Sequence, residues 1–233
     1  RIPIRAAGDG RLPVPGWSGE YEWEGYIPFE QLPYSYNPES GYIVTANNAV
    51  VGSDYPYLLT TDWDYGYRAQ RIVELIEEAP GPITIEYIAQ IQGDNKILNS
   101  EFLLPILLET QPQEERLKTA LALLSEWDGQ MHMDSAAAAL YAAFWRQLVT
   151  ITFSDDLAEL PGMGGDSRSF EVFRLLVSQP ESPWWDDKQT LETENMNAVF
   201  ARAFVAAVDE LEQLQGKNPE RWNWGDMHTA TFE

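Results

Sequence analysis

The side chains that could carry chemistry in this 233-residue chain are few in kind. It has no cysteine, which removes thiolate nucleophiles, disulfides and cysteine zinc sites. Its two histidines, His132 and His228, lie far apart with no serine motif that would complete a triad, so each reads as structural. Asp62-Trp-Asp-Tyr-Gly66 resembles the opening of a calcium loop, but an EF-hand needs a bidentate Glu at its twelfth position, where this chain has Val73. A helix cap is the better account of Asp62 or Asp64. Gly162-Met-Gly-Gly-Asp166 lacks the Lys-Ser/Thr of a phosphate loop and reads as a flexible loop before a helix near Ser167. The pairs Glu77-Glu78, Asp155-Asp156 and Asp186-Asp187 are expected in so acidic a chain, and sequence neighbours do not face one another on a helix. They read as solvated surface. Trp184-Trp185, Trp222 and Trp224 offer flat apolar faces, but no convergent polar groups accompany them, so they read as filling between helices.

Charge narrows the classes of partner. Fifteen Lys and Arg against 37 Asp and Glu give a net charge of −22, which repels phosphate backbones and anionic headgroups. Nucleic acid and membrane surfaces are therefore not expected partners. No window approaches the roughly 18 consecutive apolar residues of a spanning helix. The first residues, Arg1-Ile-Pro-Ile-Arg5, read as a strand and not as a targeting segment, and the absence of cysteine does not choose a compartment.

Those side chains must be positioned by elements of two kinds. Residues 1–63 are rich in proline, glycine and aromatic residues, show almost no helical period, and read as short strands and ordered loops. The best strand candidate is Gly41–Ala46, β-branched and aromatic, preceded by Asn37-Pro-Glu-Ser40 and followed by Asn47-Asn48. Beyond it, Ala69, Ile72, Val73 and Ile76 recur with helical spacing and Pro80 ends the run. Further amphipathic segments at 84–92, 98–109, 114–126, 135–152, 168–178 and 192–215 predict a helical region over 64–233, with Pro105 expected to kink or split its helix. The fold class is therefore α+β: a small β-rich part at 1–63 and a mainly helical remainder.

Several segments in register carry a resemblance. Arg11-Leu-Pro-Val-Pro-Gly16, Trp23-Glu-Gly-Tyr-Ile-Pro-Phe29, Asn37-Pro-Glu-Ser-Gly-Tyr-Ile43 and Asn47-Asn48 are joined by Asp62-Trp63 with Tyr67-Arg-Ala-Gln-Arg-Ile72, by Gln92-Gly-Asp94 and by Trp222-Asn-Trp-Gly-Asp-Met-His228. In order and spacing they resemble the penicillin acylase (penicillin amidase) family of N-terminal-nucleophile hydrolases. That resemblance implies an amide hydrolase, and a chain that forms part of an αββα sandwich and an internal piece of the catalytic chain. The family nucleophile, an N-terminal Ser whose own amine is the base, is expected upstream of Arg1, so the isolated chain is expected to be inactive.

By motif position, Asn47 matches the family's oxyanion donor. Attack on an amide carbonyl creates a tetrahedral oxyanion, and a side-chain amide donates to it without carrying a titratable charge. Arg68 matches the family's arginine near the active centre, where it would orient the asparagine and keep the attacking amine neutral. Without the resemblance, Asn47 could equally end a strand or turn, and Arg68 could equally form a surface ion pair; Asn48 reads as structural. Thr45-Ala46 departs from the Asn-Trp pair of classical members, so substrate preference does not carry over. No cofactor is expected. The family's structural calcium, with one carbonyl ligand near Gly10, is not expected here, since the downstream Asp position near Tyr57 or Leu58 holds none. Expected partners are a small N-acyl substrate, the remaining parts of the same precursor and, through uncovered surface, a small homo-oligomer. The resemblance also points to a periplasmic or extracellular setting. The competing expectation is a noncatalytic binding or scaffolding member of the same fold.

Overall fold

The structure is a computed structural model that describes residues 1–157 and 163–231. The chain divides into two compact units, Arg1–Thr84 and Ile85–Glu233.

The first unit holds strands β1 (Pro3–Arg5) and β2 (Trp23–Tyr26) and helix α1 (Tyr67–Glu77). The strands pair antiparallel, Pro3 with Tyr26 and Ile4 with Gly25, and the register slips between Ile4 and Arg5. The rest of it is a short 3-10 helix at Phe29–Gln31, turns and irregular chain. Gly41–Ala46 is not a strand: Ile43, Val44 and Thr45 make no backbone–backbone hydrogen bond among the described residues. β-branched residues favour the extended conformation, yet a strand also needs a neighbour, and among the described residues none pairs with this segment. The expected cap of α1 is likewise corrected. The helix starts after Gly66, at φ +88°, with no side-chain cap, and Asp64 instead accepts from the Gly66 N–H at 3.1 Å. Few apolar side chains are buried in this unit, Ile27 and Ala69, whereas Trp17, Phe29, Tyr34 and Tyr36 are each more than 80% exposed.

The second unit is a helical assembly: α2 (Ile85–Gly93), α3 (Ser100–Leu108), α4 (Glu115–Ser125), α5 (Ala136–Phe153), α6 (Ser167–Leu176) and α7 (Met196–Gln215). Each lies within a few residues of its predicted span. Pro105 does not split α3, which runs across it with Leu103 and Leu107 fully buried on either side. Three of these helices begin where side chains satisfy free N–H groups: Ser135 caps α5, Asp166 caps α6 and Asn195 caps α7. Of the glycine-rich loop, Gly162 lies outside the described residues; Gly165, at φ +67°, accepts from Trp145 Nε1 at 3.2 Å. α5 and α7 form the central pair. A file of rings runs between them, from Trp127 to Tyr141 at 4.9 Å, on to Phe144, then to Phe200 at 5.7 Å and Trp185 at 6.0 Å. Trp185 and Trp222 are buried, as their reading as filling required, while Trp184 stays half-exposed against Phe153.

Glu77 and Glu78 are exposed, as expected, whereas the other paired carboxylates are partly buried and bonded. Asp155 accepts from the Lys188 backbone, Asp156 pairs with the Lys188 ammonium, Asp186 accepts from Glu194 N and Asp187 pairs with Arg202. Together with the buried Trp185, they hold the connection between α6 and α7. Arg116 does similar work between α4 and α7, reaching Asp209 at 2.6 Å and Glu212 at 3.4 Å, and its hydrogen bonds to Glu114 and Asp209 raise its pKa.

Phe200→Ala removes the middle ring of that file and is expected to cost about 3–5 kcal/mol, read as a lower urea midpoint at unchanged slope. The Arg202 hydrogen bond holds the Asp187 pKa below its usual value, so the stabilisation it gives is full above the unfolded pKa and fades as pH falls through the folded one. Arg202→Ala is therefore expected to lower stability at neutral pH, with the gap from the parent chain closing below about pH 4. Denaturation curves at pH 7 and pH 3 check it.

Candidate active site

Asn47 has φ +63°, the left-handed conformation that asparagine tolerates better than most residues. Local bonds hold it there. The Asn47 carbonyl accepts from Asp64 N at 2.8 Å, within an isolated parallel bridge that pairs Asn48 with Asp64. Asn48 closes the turn from the other side: its Oδ1 accepts from Ala46 N at 3.0 Å and its Nδ2 donates to the Ala49 carbonyl at 3.1 Å. The structural reading of Asn48 fits these bonds.

Arg68, in the first turn of α1, reaches this turn with one terminal nitrogen. Nη2 donates to the Ala46 carbonyl at 3.0 Å and to Asn47 Oδ1 at 2.9 Å. A guanidinium has no acceptor, so the amide atom facing it is the oxygen, and the Asn47 NH₂ lies on the opposite side. Asn47 Nδ2 has no partner among the described residues, and Asn47 is exposed. The result is a neutral donor whose direction is set by a fixed cation. The alternative ion-pair reading of Arg68 is present too, with Asp64 Oδ2 at 3.6 Å, so the arginine does both.

At the far end of α1, Glu77 accepts from the Tyr42 hydroxyl, and that bond raises the tyrosine's pKa. The segment 42–47 is thus tied to the helix at both ends. Sequence reasoning assigned no part to Tyr42 and gave Asp64 only a capping role. The spacing of Asp64 four residues before Arg68 was the available signal for their pairing.

The other candidates are occupied structurally. His132 Nδ1 lies 3.4 Å from Asn95 Nδ2, and His228 stacks on Trp224 with centroids 5.0 Å apart. In the remaining motif segments, Asp94 accepts from Gln130 at 2.8 Å and Trp222 Nε1 donates to the Gly216 carbonyl at 2.8 Å, both within the second unit. Among the described residues no three His, Asp or Glu side chains are grouped to hold a metal, and the Arg5 guanidinium packs against Gly10.

Known proteins share this sequence and fold. The chain is 33% identical over 251 residues to the acyl-homoserine lactone acylase QuiP of Pseudomonas fluorescens, covering 98% of this chain and 31% of that protein. It is 32% identical over 237 residues to the penicillin acylase 2 proenzyme of Pseudomonas sp. strain SE83, covering all of this chain and 30% of that one. It therefore spans a little under a third of the length of the curated relatives it matches. A thermostable penicillin G acylase from Alcaligenes faecalis has the same fold over 95% of this chain and 45% of its own, with a TM-score of 0.66 at 22% identity. The penicillin amidase family profile matches residues 1–233 from end to end, and the chain belongs to that family.

Proposed function

We propose that this chain supplies the oxyanion donor of an amide-hydrolysing acylase, with Asn47 Nδ2 as the donor and Arg68 as the residue that aims it. The observation that carries this is the hydrogen bond from Arg68 Nη2 to Asn47 Oδ1 at 2.9 Å, because it engages the amide oxygen and leaves the Nδ2 hydrogens for another acceptor. When a nucleophile adds to an amide carbonyl, charge collects on the carbonyl oxygen. A donor already oriented toward that oxygen needs no reorganisation and stabilises the transition state more than the ground state. Arg68 adds a permanent positive field beside the same point.

The nucleophile and its base come from a part of the protein outside these 233 residues, so catalysis is a property of the whole precursor. The substrate is a small N-acyl compound. The relatives named for acyl-homoserine lactones and for penicillins fit that class, and the smaller Thr45-Ala46 pair sets this chain's wall apart from the Asn-Trp of classical members. No cofactor takes part in the proposed reaction. Trp17, Phe29, Tyr34 and Tyr36 form exposed apolar surface suited to the rest of the precursor or, in its absence, to a small oligomer.

In the full-length enzyme, Asn47→Ala is expected to reduce kcat by the equivalent of about 2.7–4 kcal/mol with little change in KM, measured by amine release from a chromogenic acyl anilide. The 233-residue chain alone serves as the zero-activity control. An unchanged kcat would remove Asn47 from the site. Arg68→Ala is expected to lower kcat in the same assay and, by freeing the Asn47 side chain to turn about χ2, to shift its two Nδ2 proton resonances toward those of exposed asparagines. Nitrogen-15 NMR of the side-chain amides checks the second part.

A further inference from the structure

Asn47 presents its Nδ2 only while its backbone keeps the left-handed turn and the guanidinium keeps its place on Oδ1. We propose that Asp64 is a positioning residue for the Asn47 donor, coupling these two conditions; the proposal rests on the oxyanion reading given above. Three contacts carry it. The Asp64 backbone N–H donates to the Asn47 carbonyl at 2.8 Å and so holds the donor's own peptide. Asp64 Oδ1 accepts from Gly66 N at 3.1 Å and fixes the turn, at φ +88°, from which α1 springs with Arg68 as its second residue. Asp64 Oδ2 lies 3.6 Å from Arg68 Nη2, the same nitrogen that holds Asn47 Oδ1.

The charge geometry explains why a carboxylate suits this position. At 3.6 Å the pair is beyond hydrogen-bond length, so the carboxylate does not compete with Ala46 and Asn47 for the Nη2 hydrogens. It acts as a nearby negative charge that biases a long side chain toward one direction. The two partners differ in freedom: the Asp64 side chain is 17% exposed and the Arg68 side chain 60%. The less exposed partner, held also by Gly66 N–H, is the more fixed one, and the arginine is what it steadies. An ordinary exposed pair at this helical spacing changes stability very little, so its loss would leave the rate untouched. Here the pair ends on the atom that aims the donor, and the rate is where its loss appears.

Four full-length enzymes decide the matter: the parent, Asp64→Asn, Asn47→Ala and the double variant, compared by kcat, KM and circular dichroism. Asp64→Asn keeps an oxygen for Gly66 N–H and keeps the main-chain bridge, so an unaltered spectrum is expected, with kcat lower by about tenfold and KM within about twofold. In the Asn47→Ala background the same change is expected to alter kcat by less than about twofold, because the donor it positions is gone. Wild-type kcat in Asp64→Asn beside a slow Asn47→Ala overturns the positioning role and leaves the oxyanion reading standing. A loss that persists in full without Asn47 also overturns it. Unchanged kcat in Asn47→Ala overturns both. Should Asp64→Asn misfold, Asp64→Glu is judged on the same criteria, since it retains the charge but displaces it by one methylene.

Discussion

A guanidinium can only give hydrogens, and the candidate site depends on that restriction. An asparagine amide is nearly symmetrical in shape, and in water it presents oxygen or NH₂ to a partner with little preference. With Arg68 Nη2 at 2.9 Å from one of its ends, reversing the amide would set donor against donor and forfeit a water-exposed bond worth about 0.5–1.5 kcal/mol. That is a bias of roughly two- to tenfold toward one orientation, present before any substrate arrives. An oxyanion donor needs this kind of advance orientation, since a group that must turn during the reaction returns part of what it contributes.

The segment 42–47 is tied to both ends of α1: Tyr42 is bonded to Glu77 at the helix's end, and Asn47 is bonded to Arg68 at its start. These side-chain anchors hold the segment without a strand ladder, a state that β-branched composition permits but does not by itself distinguish from a strand.

How much of this was legible in the sequence follows from the range of each interaction. α7 was readable because Val199, Phe200, Ala203, Phe204, Ala207, Val208 and Leu211 recur at helical spacing within one segment, and they are the residues it buries. Gly41–Ala46 was misread because pairing is decided by neighbours distant in sequence, which local composition cannot report. Asn47 and Arg68 stand 21 residues apart, so only resemblance to a family could bring them together before the structure did. The adjacent acids Asp155, Asp156, Asp186 and Asp187 were misread for the same reason. Their partners Lys188, Glu194 and Arg202 are brought up by the turn between α6 and α7, a connection with no period to announce it.

The two units reach order by different means, and the site sits in the one with less core. In the second unit, aromatic rings in mutual contact and fully buried leucines fix the helices; in the first, Ile27 and Ala69 are the apolar side chains buried, and polar bonds hold the functional turn. Hydrogen bonds exposed to water contribute only about 0.5–1.5 kcal/mol each, so no single one of them can hold Asn47 against local opening. Several bonds closing on the same few atoms can. Asn48 on Ala46 and Ala49, Asp64 on Asn47 and Gly66, and Arg68 on Ala46 and Asn47 form such a set, each restraining a backbone or side-chain angle that another also restrains. Redundancy among weak bonds takes the place of burial. It also keeps the donor exposed, as a group that must meet a substrate has to be.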